Sequence, residues 1–263
     1  MSTLPTQESG LSREPVGSQS TASPEFDRYA PGYSALLDDP LRNRFARDPL
    51  HFHRRKWFLI RSVLRRFDVA AETQRWLDVG CGQGQLLELA SLNFREAAGC
   101  DPSAVMLPSH ASFAVHQQPS PVELPFEDGS FDFVTAVCVY HHVHGEARTR
   151  LANEIKRVLS PGGLCCIIEH NPWNPATQVI VRRCAVDVDA ELLSAGKTLR
   201  LFEASGFTPL TTEYFLYFPE RLFDPLRWIE ARLHKVPLGG QYLSLLRAPG
   251  TPAFSAAASP LGS

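Results

Sequence analysis

The chain has 263 residues, enough for one α/β domain with extensions and too few for two full domains. With 44% hydrophobic and 21% charged residues it has the composition of a soluble globular protein, which excludes wholesale disorder, collagen and coiled coil. Its formal charge of −2 lacks the basic excess of a dedicated nucleic-acid-binding domain, so no nucleic-acid partner is expected.

The six cysteines lie in apolar or glycine-rich runs without a C-x-x-C pair, the usage of reduced thiols in a cytoplasmic protein. Neither a signal peptide nor an 18-residue apolar stretch occurs, so the expectation is a soluble cytoplasmic protein without a transmembrane segment. Nothing in the sequence fixes an oligomeric state.

Residues 1–24 hold 14 Ser, Thr, Pro or Gly and read as a disordered leader. Residues 25–247 have a globular pattern, and 248–263 read as a flexible tail. Within 25–70, an N-terminal helical cap, Trp57, Ile60, Leu64 and Phe67 form one stripe of a helix near 52–67. Seven apolar runs read as strands, at 76–80, 96–100, 112–116, 131–139, 163–169, 207–216 and 241–247. Helices fill the gaps at 84–93, 103–109, 146–159 and about 189–205, and Asp224 reads as the cap of one that starts at Pro225. Such alternation predicts a parallel, doubly wound α/β sheet.

The sharpest local signal is WLDVGCGQGQLLELA, a strand running into Gly80-Cys81-Gly82-Gln83-Gly84 and then a helix. Glycine lets the chain turn tightly and lets its backbone approach a ligand, while the helix start offers free N–H groups. Asp101 follows 17 residues after Gly84, at the end of the second strand, where a carboxylate accepts both hydroxyls of a ribose. The G-x-G-x-G spacing opposes the G-x-G-x-x-G of a dinucleotide fold, and so an NAD-dependent oxidoreductase. The intact loop and Asp101 also oppose a binding module without cofactor affinity.

Four segments in order, LDVGCGQGQLL, GCDPS, ELPFEDGSFDFV and EIKRVLSPGGLCCI, resemble the class I S-adenosylmethionine-dependent methyltransferases, of the methyltransferase type 11 family. The resemblance covers about residues 76–164. It implies a Rossmann-like seven-stranded sheet with six parallel strands and the last antiparallel, and S-adenosylmethionine as cofactor. Carried over, Asp78 lies near the cofactor's amino group, Gly80, Cys81, Gly82 and Gly84 give backbone contacts, and Asp101 takes the ribose. Where the family often has an acid for the adenine amine, four residues before the Leu of LPF, this chain has Ser120. Ser120, Glu123 or a backbone carbonyl would replace that acid, with Val122 packed on the ring.

Methyl transfer to oxygen or carbon needs removal of a proton, and histidine suits that task near neutral pH. The sequence VCVYHHVHGEAR places His141, His142 and His144 at the end of the fourth strand. In related small-molecule O-methyltransferases a histidine here is the base and a carboxylate after the fifth strand orients it, which points to His142, with His141 beside it, and to Glu169. An HH pair also occurs in the family as a packing element, and clustered histidines with Glu169 also suit a divalent metal; no metal is expected. In EHNPWNP, Asn171, Trp173 and Asn174 follow the fifth strand and read as acceptor-pocket or turn residues, not as the N-P-P-Y loop of amino-methyltransferases.

Residues 42–66 carry nine Lys or Arg against Asp48, a net +8 that leaves −10 elsewhere. The plainer reading is a solvated helix face. The sharper one is a cap that folds Arg54, Arg55 and Lys56, with Tyr29 and Tyr33, over the pocket to attract an anionic acceptor. The function expected is methylation of a small or glycosyl- or lipid-linked metabolite, at oxygen, by a histidine base. The alternative is methylation of RNA or protein held by the 42–66 segment.

Overall fold

The computed structural model describes residues 25–109 and 112–251. The leader 1–24 and residues 252–263 of the expected tail 248–263 lie outside the described residues, whereas Ala248, at the start of that tail, is buried and donates its N–H to Gly163 O (2.8 Å). Seven strands form one sheet: β1 Arg75–Val79, β2 Glu96–Asp101, β3 Ala114–Gln117, β4 Phe131–Val137, β5 Leu159–His170, β6 Thr208–Phe215 and β7 Gln241–Arg247. Their order is β3-β2-β1-β4-β5-β7-β6. β7 runs antiparallel to both its neighbours, β5 and β6, and the pairings among β1 to β5 are parallel. The expected architecture, with its antiparallel last strand, is therefore the observed one, and β7 sits inside the sheet.

Among the described residues eight α-helices accompany it: α1 Tyr33–Leu36, α2 Pro40–Phe45, α3 His51–Arg66, α4 Gln85–Ala90, α5 Ala147–Val158, α6 Pro175–Arg183, α7 Ala195–Ala204 and α8 Glu220–Leu233. Period-two alternation splits the core between the sheet's faces. Trp76 and Phe133 pack with Ile60, Val63 and Leu64 of α3 and Leu87 of α4 on one face. Leu77 and Val134 pack with Leu151 and Ile155 of α5 and Phe202 of α7 on the other. None of the described helices is long and apolar enough to cross a membrane.

Three expected helices differ. Residues 103–109 make only a turn, because Ser103 Oγ accepts from Met106 N (3.3 Å) and Pro108 removes the next donor. The helix expected from 189 starts at Ala195, where Ser194 supplies the side-chain cap to Lys197 N. The last helix starts at Glu220, five residues before Pro225, and Asp224 lies inside it. Pro225 sacrifices a single backbone donor there, and the early start carries Glu230 inward to pair with Arg55.

The segment EHNPWNP forms the turn from β5 into α6. Asn171 Nδ2 donates to the carbonyls of Pro237 (3.0 Å) and Gly239 (2.8 Å), and Asn174 Oδ1 accepts from Thr177 N (2.9 Å) as the cap of α6. Trp173 is exposed. The strap 237–240 thus lies close under β6, where a Cβ on Gly239 would stand 2.4 Å from the carbonyl oxygen of Phe215. Gly239→Ala is expected to lower stability by about 1–3 kcal/mol through this overpacking. Gly196→Ala, in the open first turn of α7, should be neutral or stabilising by comparison; urea denaturation of the two variants checks the contrast.

Candidate functional site

At the C-terminal ends of β1, β2, β4 and β5 lies a cavity of about 600 Å³. The strand ends form its floor, and α1, α2, α3 and α6 close over it. Beneath its glycine loop, the indole Nε1 of Trp76 donates to Thr135 Oγ1 (2.9 Å), which donates to Asp78 Oδ1 (2.5 Å). This chain satisfies a buried indole and fixes the Asp78 carboxylate against the cavity. Burial raises Asp78 to about 7, against the Thr135 hydrogen bond and the charge of Lys56, which lower it.

Gly80, Gly82 and Gly84 all have left-handed φ angles, of 67°, 51° and 77°. A Cβ on Gly80 would meet Val139 Cγ2 at 2.5 Å and one on Gly84 would meet Phe113 Cζ at 2.9 Å. The loop therefore needs its glycines both for turning and for packing. Asp101 holds it in place: Oδ2 accepts from Gly82 N and Oδ1 from Ser103 N, each at 2.9 Å. Asp78, Gly80, Cys81, Gly82 and Asp101 line the cavity, whereas Gly84 stands behind them as the residue before α4.

Ser120 and Val122 are not among the residues lining the cavity. Ser120 Oγ accepts from Val122 N (3.4 Å) within a small turn, and Val122 is buried in the core. Gln118, just after β3, lines the cavity instead; Nε2 donates to Ser120 O (3.4 Å), and Oε1 is buried without a partner. An orphaned acceptor, two carboxylates and a glycine cradle fit a ligand with an amine-bearing base, a diol and a cationic amino group, as S-adenosylmethionine has.

The opposite wall is built by Glu169 at the end of β5. Its Oε1 accepts from Val139 N (2.9 Å) and Tyr140 N (2.6 Å), and its Oε2 meets His141 Nδ1 at 2.5 Å. Glu169 is buried and does not line the cavity; it holds the wall from behind. Burial opposes a charge on His141, but Glu169 and Asp187 outweigh it and raise His141 to about 10. That imidazolium has no lone pair to receive a proton at neutral pH. His142 lines the cavity beside it, edge-on to Phe26, with Nε2 3.4 Å from Asp187 Oδ1. His144 lies outward near Glu191.

Sequence reasoning missed Asp187, which lies in a short 3₁₀ turn between α6 and α7. The main chain of that segment is pinned to the histidine turn by Glu191 N donating to His141 O (2.8 Å). The ligand atoms of His141, His142 and Asp187 lie within 4.8 Å of one another, close enough to hold one metal ion. The 42–66 patch divides: Arg54 pairs with Asp48 and Arg55 with Glu230, while Arg42 and Lys56 line the cavity.

Residues 77–167 match the family model described as a methyltransferase domain. An uncharacterized methyltransferase of Bacillus subtilis (strain 168) is 32% identical over 104 residues, 36% of this chain and 40% of the relative. Another, from Synechocystis sp., is 29% identical over 105 residues, 38% of this chain and 50% of the relative. The chain thus spans half or less of the length of these relatives. Among solved structures, a SAM-dependent methyltransferase of Thermotoga maritima, described as a possible histamine N-methyltransferase, superposes with TM-score 0.59 at 17% identity over 85% of this chain and 98% of that one. Phosphoethanolamine N-methyltransferase 2 of Haemonchus contortus, solved with S-adenosyl-L-methionine, gives TM-score 0.54 at 19% identity over 86% of this chain and 57% of that one. At these identities the structural likeness is one of fold. In the matched segment and in its fold, the chain is thus similar to SAM-dependent methyltransferases.

Proposed function

We propose that the protein transfers a methyl group to an oxygen of a small-molecule acceptor, with His142 taking the acceptor's proton. One observation carries this reading: a single cavity has the glycine loop, Asp78 and Asp101 on one side and the His142–Asp187 pair on the other. When bound, S-adenosylmethionine supplies a methyl on a sulfonium, which departs as a neutral thioether. The residues of the chain then have to align the acceptor and move one proton. With Nε2–H directed at Asp187, His142 keeps Nδ1 to receive the hydroxyl proton. Asp187 orients the ring, and the His141–Glu169 pair holds the turn on which that ring stands. Incubation with methyl-labelled S-adenosylmethionine and a metabolite extract, read by mass spectrometry, tests the activity; label that reaches no small molecule overturns it.

A second reading has the support of the same convergence: a divalent cation on His141, His142 and Asp187, displacing the proton that His141 otherwise holds, would acidify the acceptor hydroxyl directly. Turnover retained in EDTA supports proton transfer to His142, and turnover lost and restored by Mg²⁺ or Mn²⁺ supports the cation.

Asp101→Ala should weaken binding of S-adenosylhomocysteine by more than about tenfold, since a charged acceptor contact is worth about 1.5–3 kcal/mol; titration calorimetry measures it. His142→Ala should lower turnover by about a hundredfold or more and leave that affinity within about twofold. The pH dependence has a definite sign. His141 is raised above its ordinary 6.5 to about 10, so its contribution to stability is complete below about pH 6.5 and is lost as pH rises through about 10. The difference in melting temperature between wild type and His141→Asn should therefore narrow over that interval.

A further inference from the structure

The cap contributes Arg42, His53 and Lys56 to the cavity wall, with Asp38 and Asp39 on the side of Arg42. Lys56 of α3 is 6% exposed, and its Nζ lies 3.7 Å from Cys138 Sγ, at the end of β4. Among the described residues no carboxylate lies within ion-pairing distance of Lys56 or Arg42. Arg42 of α2 gives Nη1 to the carbonyl of Leu37 (3.2 Å) and lies over the ring of Phe52. His53, one turn before Lys56, lines the cavity between these two cations, and its Nδ1 is buried without a hydrogen-bond partner. Burial, then the charges of Lys56 and Arg42, lower His53 to about 3, so its ring is neutral.

Asp38, Asp39 and Asp78 line the same cavity and bear on these cations, but each has hydrogen-bond partners of its own. Asp39 caps α2 through Leu41 N and Arg42 N, Asp38 bonds Asn43, and Asp78 is bonded to Thr135. The Cys138 thiol faces the same corner: burial pushes it up, but Lys56 and His170 outweigh this and hold it at about 7. A buried ammonium without a carboxylate is costly to fold, and an incoming anion removes that cost while receiving charge-assisted hydrogen bonds.

We propose that Arg42, His53 and Lys56 form an anion subsite that receives a carboxylate or phosphate group of the methyl acceptor. The assignment rests on the methyl-transfer reading of the cavity and names its substrate class. The subsite belongs to the cap and to the end of β4, the strand end that leads to His141 and His142. The cofactor cradle is formed by the ends of β1 and β2. An acceptor anchored by its anion at Lys56 has the rest of its length in the cavity beside His142. Lys56 also acts electrostatically on Asp78, so the cofactor's own carboxylate is the competing source of the same chemistry, and the test must separate the two.

The experiment uses the full chain saturated with S-adenosylhomocysteine, with benzoate and phenyl phosphate as anionic probes and benzyl alcohol as the neutral control. By calorimetry or ligand-observed NMR the anions should bind more tightly than the alcohol. Lys56→Met and Arg42→Gln should weaken the anions by about tenfold and leave the alcohol unchanged, the loss expected for a charged hydrogen bond. Their affinity for S-adenosylmethionine should stay within about twofold of wild type. Unchanged anion affinity in both variants, confirmed as folded by their melting curves, overturns the proposal. So does a variant that loses affinity for S-adenosylmethionine but not for 5′-methylthioadenosine, which lacks the carboxylate; Lys56 then serves the cofactor. Wild-type protein that binds no S-adenosylhomocysteine overturns the methyl-transfer reading beneath it, a failure distinct from either.

Discussion

The site depends on the buried carboxylate of Glu169. Two backbone N–H groups and one imidazole nitrogen converge on it, which offsets the cost of burying its charge and fixes the turn beyond β4. β4 ends because Cys138 turns into a left-handed conformation, φ 59°, while its N–H still donates to Ile168 O (2.8 Å). Past Cys138 the free N–H groups of Val139 and Tyr140 need an acceptor, and Glu169, extended from the neighbouring strand, is the one in reach. Without it the strand end would carry two orphaned donors, and His141 a buried charge lacking its nearest partner.

Asp101 does the same for the other half of the site. Its two oxygens tie the glycine loop after β1 to the turn after β2. In both places a carboxylate at one strand end organises the backbone beyond the adjacent strand end, a device open to parallel neighbours whose C-termini lie side by side. The cavity walls are therefore set by sheet register: Asp78 beside Gly99, Val79 beside Cys100, and Val137 beside Ile168.

The elements of the glycine-loop side of the cavity were legible because their signals are local. Three glycines with positive φ, a strand before them and a helix after them are all written within one short segment, and Asp101 lies at the end of the next strand. Asp187 was illegible for the opposite reason. It reaches the histidines only because the chain after α6 is hydrogen-bonded to His141 O, a contact between segments more than forty residues apart with no periodic signature. Gln118 was missed for want of register: β3 is short, and two residues of offset exchange the side chain that faces the cavity for one that closes a turn. The charge of the cap was legible as a sum but not as a direction. On α3, Arg54, Arg55 and Lys56 are consecutive, and a turn of 100° per residue sends the first to solvent, the second to Glu230 and the third into the cavity. His53, Lys56 and Ile60 do keep the helical spacing of an inward face, so the pattern was present in the sequence and hidden among its arginines.

That division of the arginines gives the cavity an electrical polarity. Asp78 and Asp101 stand at the glycine-loop end, and Arg42 and Lys56 at the cap end, where Asp38 and Asp39 lie by Arg42 but no carboxylate pairs with Lys56 among the described residues. In the proposed reading a sulfonium cofactor is drawn to the acidic end, and its positive charge there would offset the burial that raises Asp78. In the proposed reading an acceptor that carries an anion is drawn to the other end by the same field, so the two ligands are oriented with their reacting groups toward the middle, where His142 stands. The reaction neutralises the sulfonium. In that reading, once the methyl has moved, the cofactor product would be held by Asp78 and Asp101 without the attraction of that charge, and the field that favours binding of the reactants would favour the product less. In the proposed reading, alignment and release thus arise from acidic side chains at the strand ends and basic ones on the cap helices that face them.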